Sequence, residues 1–330
     1  MSVRAAAAAA VTRLAPSPTG ALHLGNARTF LATWAVARRR GWRIVLRIDD
    51  LEGPRVKPGA DRQAVDDMAW LGLDWDGDIV YQSRRTAEYE DALARLWRGG
   101  RVYACTCTRS EVESASRGIA EADGAARYPG TCRGRFTSAE AANRLTGRPA
   151  AVRFTAGDGD VAFDDAVIGP LSFRAGADFG DFVVRKSDGE FGYHLATVID
   201  DAAAGVTHVI RGQDLTVSTP RQLLLYDALG LSDLCPAYAH LPLVVGADGR
   251  KLAKRHGDTR LAQLRAEGVS AGQVRTMLAR WSGFAPSGEE ITAAEWVERF
   301  DLRRLPRAPV TYDDATDRPR AAARLGGGRP

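Results

Sequence analysis

The 330-residue sequence predicts an α/β fold, a Rossmann-like parallel sheet covered by helices, on three observations. A short apolar strand at Val11–Leu14 passes through a Pro- and Gly-containing turn into a helix at Leu24–Arg40, and a second strand follows at Arg43–Ile48. Strand, helix, strand in that order is the crossover unit of a parallel sheet. Composition agrees: 45% hydrophobic and 26% charged residues is ordinary for a soluble globular protein and gives no ground for disorder.

Each element has a local reason. In the first helix Leu24, Ala27, Phe30, Leu31, Trp34 and Ala35 recur at helical spacing, and Gly41 stands where a glycine ends a helix. Residues 16–25 therefore lie between the carboxyl end of a strand and the amino end of its helix, where free N–H groups and the helix dipole favour anions. Segments 61–71 and 86–98 predict amphipathic helices, with a turn at 75–78 between them. Residues 103–174 are rich in Gly and Arg with short strand-like pieces, which predicts an insertion between two halves of the nucleotide fold. The sheet is expected to resume at 182–185 and 193–198, followed by a strand at 208–211, a helix at 220–229 and a strand at 241–245. Residues 260–285 predict helix. The expected division is 1–102 and 176–255 for the two catalytic halves, 103–175 for the insertion, 256–317 for a helical C-terminal part and 318–330 for a disordered tail.

The apolar run at 5–10 is too short to span a membrane, so residues 1–10 are expected to be a loose leader on a cytoplasmic protein. A net charge of +4 is compatible with a polyanionic partner without demanding one. Three of the four cysteines, Cys105, Cys107 and Cys132, cluster in sequence, unlike the dense even framework of a small secreted domain. Three thiolates form a soft set suited to tetrahedral metal ligation, the alternative being reduced thiols with no metal. Cys235, before Pro236, reads as a small buried hydrophobe.

Two distant motifs carry chemistry: His23-Leu24-Gly25-Asn26, inside a run beginning Arg13-Leu14-Ala15-Pro16-Ser17-Pro18, and Lys251-Leu252-Ala253-Lys254-Arg255. Alone, each is weak, since a basic Lys-x-x-Lys-Arg turn is usually only solvated. Their order, separation and context change that. His23 at a helix amino terminus can donate to a phosphate oxygen, Gly25 admits close backbone approach, and Lys251 and Lys254 follow a turn from which they can reach phosphates.

Together these motifs resemble the ATP-handling signatures of a class I aminoacyl-tRNA synthetase. From about residue 11 to residue 284 the chain is similar to the glutamyl-tRNA synthetase catalytic domain, and most of all to the shortened glutamyl-queuosine tRNA(Asp) branch; segments 13–26, 46–50, 193–201, 209–215 and 251–255 carry the match. The resemblance implies ATP-dependent activation of glutamate and its transfer to queuosine in the anticodon loop of tRNA(Asp), with activation independent of tRNA. It implies catalysis by His23, Lys251 and Lys254, and ATP binding by His23, Gly25, Asn26 and Lys254. Glutamate would be held by Arg13, Ala15, Ser17, Asp49, Tyr193 and Arg211, the Arg211 fork taking the side-chain carboxylate. Without the family match, Arg211 would read as a surface salt-bridge partner. The family's zinc site implies Cys105, Cys107, Tyr128 and Cys132 as ligands of one structural Zn2+, and ATP implies Mg2+.

The chain departs from the family pattern at two places. Asp49 stands where the family has Glu for the substrate ammonium, a carboxylate set back by roughly 1 to 1.5 Å, to be compensated by water, by Asp50 or by a shift of the strand. Ala253 stands where Ser is frequent. Only about 75 residues follow Lys254, too few for the helical anticodon-binding region of the full-length enzymes. This favours direct docking of the anticodon stem-loop by a monomer. The alternatives are a truncated synthetase charging an acceptor end and a non-catalytic tRNA-binding paralogue, the latter disfavoured because the whole cationic set is present.

Overall fold

The computed structural model describes residues 9–252, 259–288 and 290–319. Its first unit is β1 (Val11–Leu14), α1 (Leu24–Arg40), β2 (Arg43–Ile48), α2 (Ala60–Trp70), β3 (Val80–Tyr81) and α3 (Thr86–Arg98), with β1 parallel to β2 and β2 parallel to β3. Helix α1 buries Leu24, Ala27, Leu31 and Ala35, and ends at Gly41, whose φ of 66° is left-handed and whose N–H donates to the Ala37 and Arg38 carbonyls. Ala10, inside the expected loose leader, is tied to the sheet instead, because the Arg43 N–H donates to its carbonyl at 2.9 Å. Residues 1–8 lie outside the described residues.

The next segment contains β4 (Val102–Cys105), α4 (Arg109–Ala115), α5 (Ala139–Thr146), β5 (Ala151–Phe154), the hairpin β6 (Asp160–Asp165) and β7 (Gly169–Arg174), and β8 (Phe182–Arg185). Here the expectation for 182–185 needs correction. Strand β8 does not resume the parallel sheet; it pairs antiparallel with β5, which pairs antiparallel with β4. Strand β6 instead lies parallel to a catalytic strand, β10 (Ala237–Leu241), with Asp165 opposite Tyr238. Apolar strand residues alone do not name a partner, and only the assembled sheet does.

A second correction concerns 193–198, expected as strand and observed as the start of α6 (Tyr193–Ala203). Leu195, Ala196 and Val198 are all buried, in one cluster with Tyr89, Leu93 and Leu96 of α3. A short apolar run buried all round carries no periodicity to separate helix from strand. The expected strand at 241–245 is divided: β10 ends at Leu241 and β11 (Val244–Gly246) begins after Pro242, which has no N–H for a ladder.

Strand β9 (His208–Gly212) and β10 run parallel, separated in sequence by α7 (Ser218–Ala228). Thr207 joins this half to the first, its N–H donating to the Val11 carbonyl at 2.9 Å and its Oγ1 accepting from the Val11 N–H at 2.9 Å. The spatial order β3-β2-β1-β9-β10 reverses between β1 and β9, the switch point at which ligands bind outside the carboxyl ends of strands. The predicted helical stretch at 260–285 is two helices, α8 (Leu261–Ala266) and α9 (Ala271–Trp281), because Ser270 caps a new start by accepting from the Gln273 N–H. Helix α10 (Ala293–Arg299), strand β12 (Val310–Tyr312), parallel to β11, and α11 (Asp314–Asp317) complete the described chain. Residues 320–330 of the expected tail lie outside it. Among the described residues no helix is long and apolar enough to cross a membrane.

Candidate active site and cysteine cluster

A cavity of about 970 Å³ opens at the switch point. Arg13, Ala15, Ser17, His23, Gly25, Asn26, Asp49, Tyr193, Arg211 and Lys251 all line it. Lys254 lies outside the described residues. The chain on either side of it reaches the same place: Leu252 and Thr259 line the cleft, Leu252 N–H donates to the Val244 carbonyl at 3.0 Å, and Leu24 N–H donates to the Thr259 carbonyl at 3.0 Å.

His23 caps α1. Its Nδ1 accepts from the Gly25 N–H at 3.1 Å, and the Asn26 side chain accepts from the His23 N–H at 3.3 Å, a reciprocal capping box. Burial, aided by the nearby Lys251 charge and opposed by Asp214, lowers the imidazole from an ordinary 6.5 to about 4. The ring is thus neutral at pH 7, and with Nδ1 accepting, its one proton sits on Nε2 as a donor toward the cleft. Gly25 has a local cause that the sequence did not reveal: a Cβ there would lie 3.0 Å from His23 Cε1 and 3.1 Å from Nδ1. Lys251, expected to be turned to phosphates, forms an ion pair with Asp214 across the cleft.

One wall of the cleft is a closed ionic network. Arg47 donates to Asp49 at 2.6 and 3.3 Å and to Asp201 at 2.6 Å, Arg13 donates to Asp201 at 3.4 Å, and Asp200 accepts from Arg85, Gln82 and Tyr89. Burial opposes the Arg47 charge, but the carboxylates led by Asp49 and Asp201 outweigh it and hold Arg47 well above its ordinary value. Asp49 is pushed up by burial despite Arg47. Asp50 does not line the cleft, and its carboxylate accepts from the Ser83 N–H and hydroxyl at 2.8 and 2.6 Å.

A second buried arginine of the cleft, Arg211, has a different setting. Arg211 is buried, and its guanidinium donates to His240 Nε2 at 3.0 Å, Gln222 Oε1 at 2.9 Å, Thr219 Oγ1 at 2.7 Å and the Leu215 carbonyl at 3.3 Å. Among the described residues no carboxylate lies within ion-pair distance of it. His240 Nδ1 lies 2.6 Å from Asp165 Oδ2, and burial lowers the imidazole below its ordinary value. The neutral ring donates from Nδ1 to Asp165, which leaves Nε2 free to accept from Arg211. Arg211, which without the family match reads as a surface salt-bridge partner, is therefore a buried cation whose hydrogen-bond partners among the described residues are all neutral.

Away from the cleft, the Sγ atoms of Cys105, Cys107 and Cys132 lie within 4.8 Å of one another. The Tyr128 hydroxyl stands 3.3 Å from Cys105 Sγ and 3.6 Å from Cys107 Sγ, and accepts from the Cys132 N–H at 2.9 Å. Burial pushes the Cys107 thiol up to about 12 and raises Tyr128 as well. Three soft donors and an oxygen converging on one point fit a tetrahedral soft-metal site. Cys235 is separate, packed against the Val209 and Tyr238 cluster with burial raising its thiol to about 11. Arg47, Asp201, Asp214, His240 and Asp165 were not assigned from sequence; the first three lie in motif segments already singled out, whereas nothing in sequence joins Asp165 to His240.

Residues 9–315 match the family model for class I tRNA synthetases (E and Q), catalytic domain. The chain is 48% identical over 309 residues to the glutamyl-Q tRNA(Asp) synthetase of Symbiobacterium thermophilum, covering 90% of this chain and 94% of that protein. It is 42% identical over 306 residues to the glutamate–tRNA ligase of Nitratidesulfovibrio vulgaris, covering 92% of this chain but 64% of that protein. The crystal structure of glutamate-tRNA synthetase from Elizabethkingia anophelis is similar with a TM-score of 0.78 at 28% identity, over 93% of this chain and 68% of that one.

Proposed function

The chain belongs to the class I tRNA synthetases for E and Q through their catalytic-domain family, and on that premise we propose that it activates L-glutamate with ATP and transfers it to queuosine in the anticodon loop of tRNA(Asp). The end-to-end match to a glutamyl-Q tRNA(Asp) synthetase supports this reading over a glutamate–tRNA ligase, which the chain matches over 64% of its length. The observation that carries the chemistry is Arg211, a buried guanidinium at the cleft whose partners among the described residues are all neutral. A site that leaves a cation without a carboxylate is built to receive one from its ligand.

In this reading the glutamate side-chain carboxylate meets Arg211, with Arg13, Ala15, Ser17 and Tyr193 shaping the remainder of the amino-acid site and Asp49 facing its ammonium. The α-carboxylate attacks the α-phosphorus of ATP and pyrophosphate leaves, giving glutamyl-adenylate; queuosine then displaces AMP. His23 Nε2–H donates to a phosphate oxygen beside Gly25 and Asn26 at the amino end of α1. Lys251 leaves Asp214 for the triphosphate, and Lys254 is assigned with it on the sequence motif. Mg2+ accompanies ATP. Cys105, Cys107, Tyr128 and Cys132 hold one structural Zn2+ in the inserted segment 103–175, where it closes a region with a small core. The working form is a cytoplasmic monomer, and activation proceeds without tRNA.

The test supplies ATP, labelled glutamate and tRNA(Asp) with or without queuosine, beside unmodified tRNA(Glu). Queuosine-dependent label in tRNA(Asp) is the expected result. Label in tRNA(Glu) selects acceptor-end charging instead, and absence of ATP–pyrophosphate exchange under every condition rejects catalysis.

A further inference from the structure

Arg153 on β5 lies against the cysteine cluster without belonging to the proposed ligand set. Its guanidinium carbon stands 4.0 Å from the centre of the Tyr128 ring, and its Nε–H points at Cys105 Sγ from 3.4 Å. Its Nη1 donates to the Asp181 carbonyl at 3.1 Å, which fixes the fork from behind. Strand register explains how the group arrives there: β5 pairs with β4, which ends in Cys105, and Arg153 stands opposite Tyr103 two residues before it. One guanidinium therefore touches two of the four proposed ligands, one through hydrogen-bond geometry and one through a ring face.

Charge gives this contact its purpose. Three thiolates and a tyrosine oxygen around a divalent ion leave the site net negative. Among the described residues Arg153 is the one cationic side chain with a hydrogen bond to any of those sulfur or oxygen atoms; their other partners are each other and the Thr106 and Cys132 backbone. An N–H donor on a thiolate and a cation over an electron-rich ring both stabilise negative charge where the metal needs it.

We propose that Arg153 is a positioning residue for the metal at this cluster, holding the Cys105 sulfur and the Tyr128 ring in ligating geometry and offsetting the site's negative charge. This rests on the zinc reading above. A lysine at 153 retains the charge, but one ammonium cannot reach the sulfur and the Asp181 carbonyl while lying flat on the ring.

The full-length protein, Arg153→Met and Arg153→Lys are each loaded with Zn2+, and release to an excess of chelator is timed; Co2+-loaded samples report the sulfur-to-metal charge-transfer band. Arg153→Met is expected to release zinc about 10- to 100-fold faster than wild type, as loss of an outer-shell partner does, with Arg153→Lys between them and the Co2+ band displaced in Arg153→Met. Should Arg153→Met fail to fold, Arg153→Lys, which keeps the charge and the stem, still reads the loss of the fork. Equal release rates and an unmoved band in a metal-binding wild type and the variants overturn this inference alone. A wild-type protein that takes up neither ion overturns the zinc reading, and this inference with it.

Discussion

Two buried arginines line the active cleft, Arg47 and Arg211, under opposite conditions. Arg47 is surrounded by Asp49, Asp200 and Asp201, while Arg211 is surrounded by His240, Gln222, Thr219 and a carbonyl. Burial alone therefore does not distinguish scaffold from site; the partners do. Arg47 has its counter-charges inside the protein and holds strand β2 to helix α6. Arg211 has its hydrogen bonds supplied but, among the described residues, no carboxylate paired with it, and one of its acceptors, His240, is itself held by Asp165.

Breaking both arginines separates the two roles most forcefully. Arg47→Met leaves buried carboxylates without their cation and should lower unfolding free energy by about 3–5 kcal/mol in urea titrations. Arg211→Met strands only neutral acceptors and should cost about 1–3 kcal/mol, while glutamate activation is lost. The reverse order of stabilities would erase the distinction.

His23, also in the cleft lining, sharpens the contrast as a group kept uncharged beside Lys251. The unfolded chain takes up a proton on this imidazole near 6.5, the folded one only at about 4, so the unfolded state binds more protons as pH falls through that interval. Stability from this group is fully present above 6.5 and drains away down to about 4, with a ceiling of about 3 kcal/mol. Urea midpoints at pH 7 and pH 5 in wild type and His23→Asn check it; an equal pH slope in the two would refute the assignment.

A smaller effect is expected one step behind Arg211. Asp165→Asn removes the carboxylate that selects the His240 tautomer, and should raise the KM for glutamate about tenfold, or ~1.4 kcal/mol, with the KM for ATP unchanged. Equal changes in both would mean general loosening. Smallest of all is Asp49→Glu, whose added methylene moves the carboxylate outward from Arg47 toward the amino-acid site; a lower KM for glutamate, by less than tenfold, is expected from steady-state kinetics. An unchanged KM would mean that the shorter acid already meets its ligand fully.

How far the sequence reveals these parts follows from where their partners lie. The β1-α1-β2 unit was legible because helix periodicity, Gly41 and a continuous apolar strand are all local signals. His23, Gly25, Asn26 and Lys251 are legible through two motifs whose meaning depends on their being found together, and Arg13, Ala15, Ser17, Asp49, Tyr193 and Arg211 only through the family resemblance. What sequence did not show depends on distant pairing: β8 joining β5 rather than the parallel sheet, the burial of every residue from 195 to 201 that hides the helical period of 193–203, and Asp165 meeting His240 from a hairpin 75 residues away. Nor does sequence show that Asp50 is engaged by Ser83, 33 residues on.

The central claim is that Arg211 keeps its charge for the carboxylate of the substrate. Its most direct measurement is ATP–pyrophosphate exchange without tRNA by wild type and Arg211→Gln, each offered glutamate and glutamine in turn. Wild type should prefer glutamate strongly, and the variant should lose about a hundredfold or more in kcat/KM for glutamate together with its preference over glutamine. A variant that activates glutamate as selectively as wild type would contradict the account.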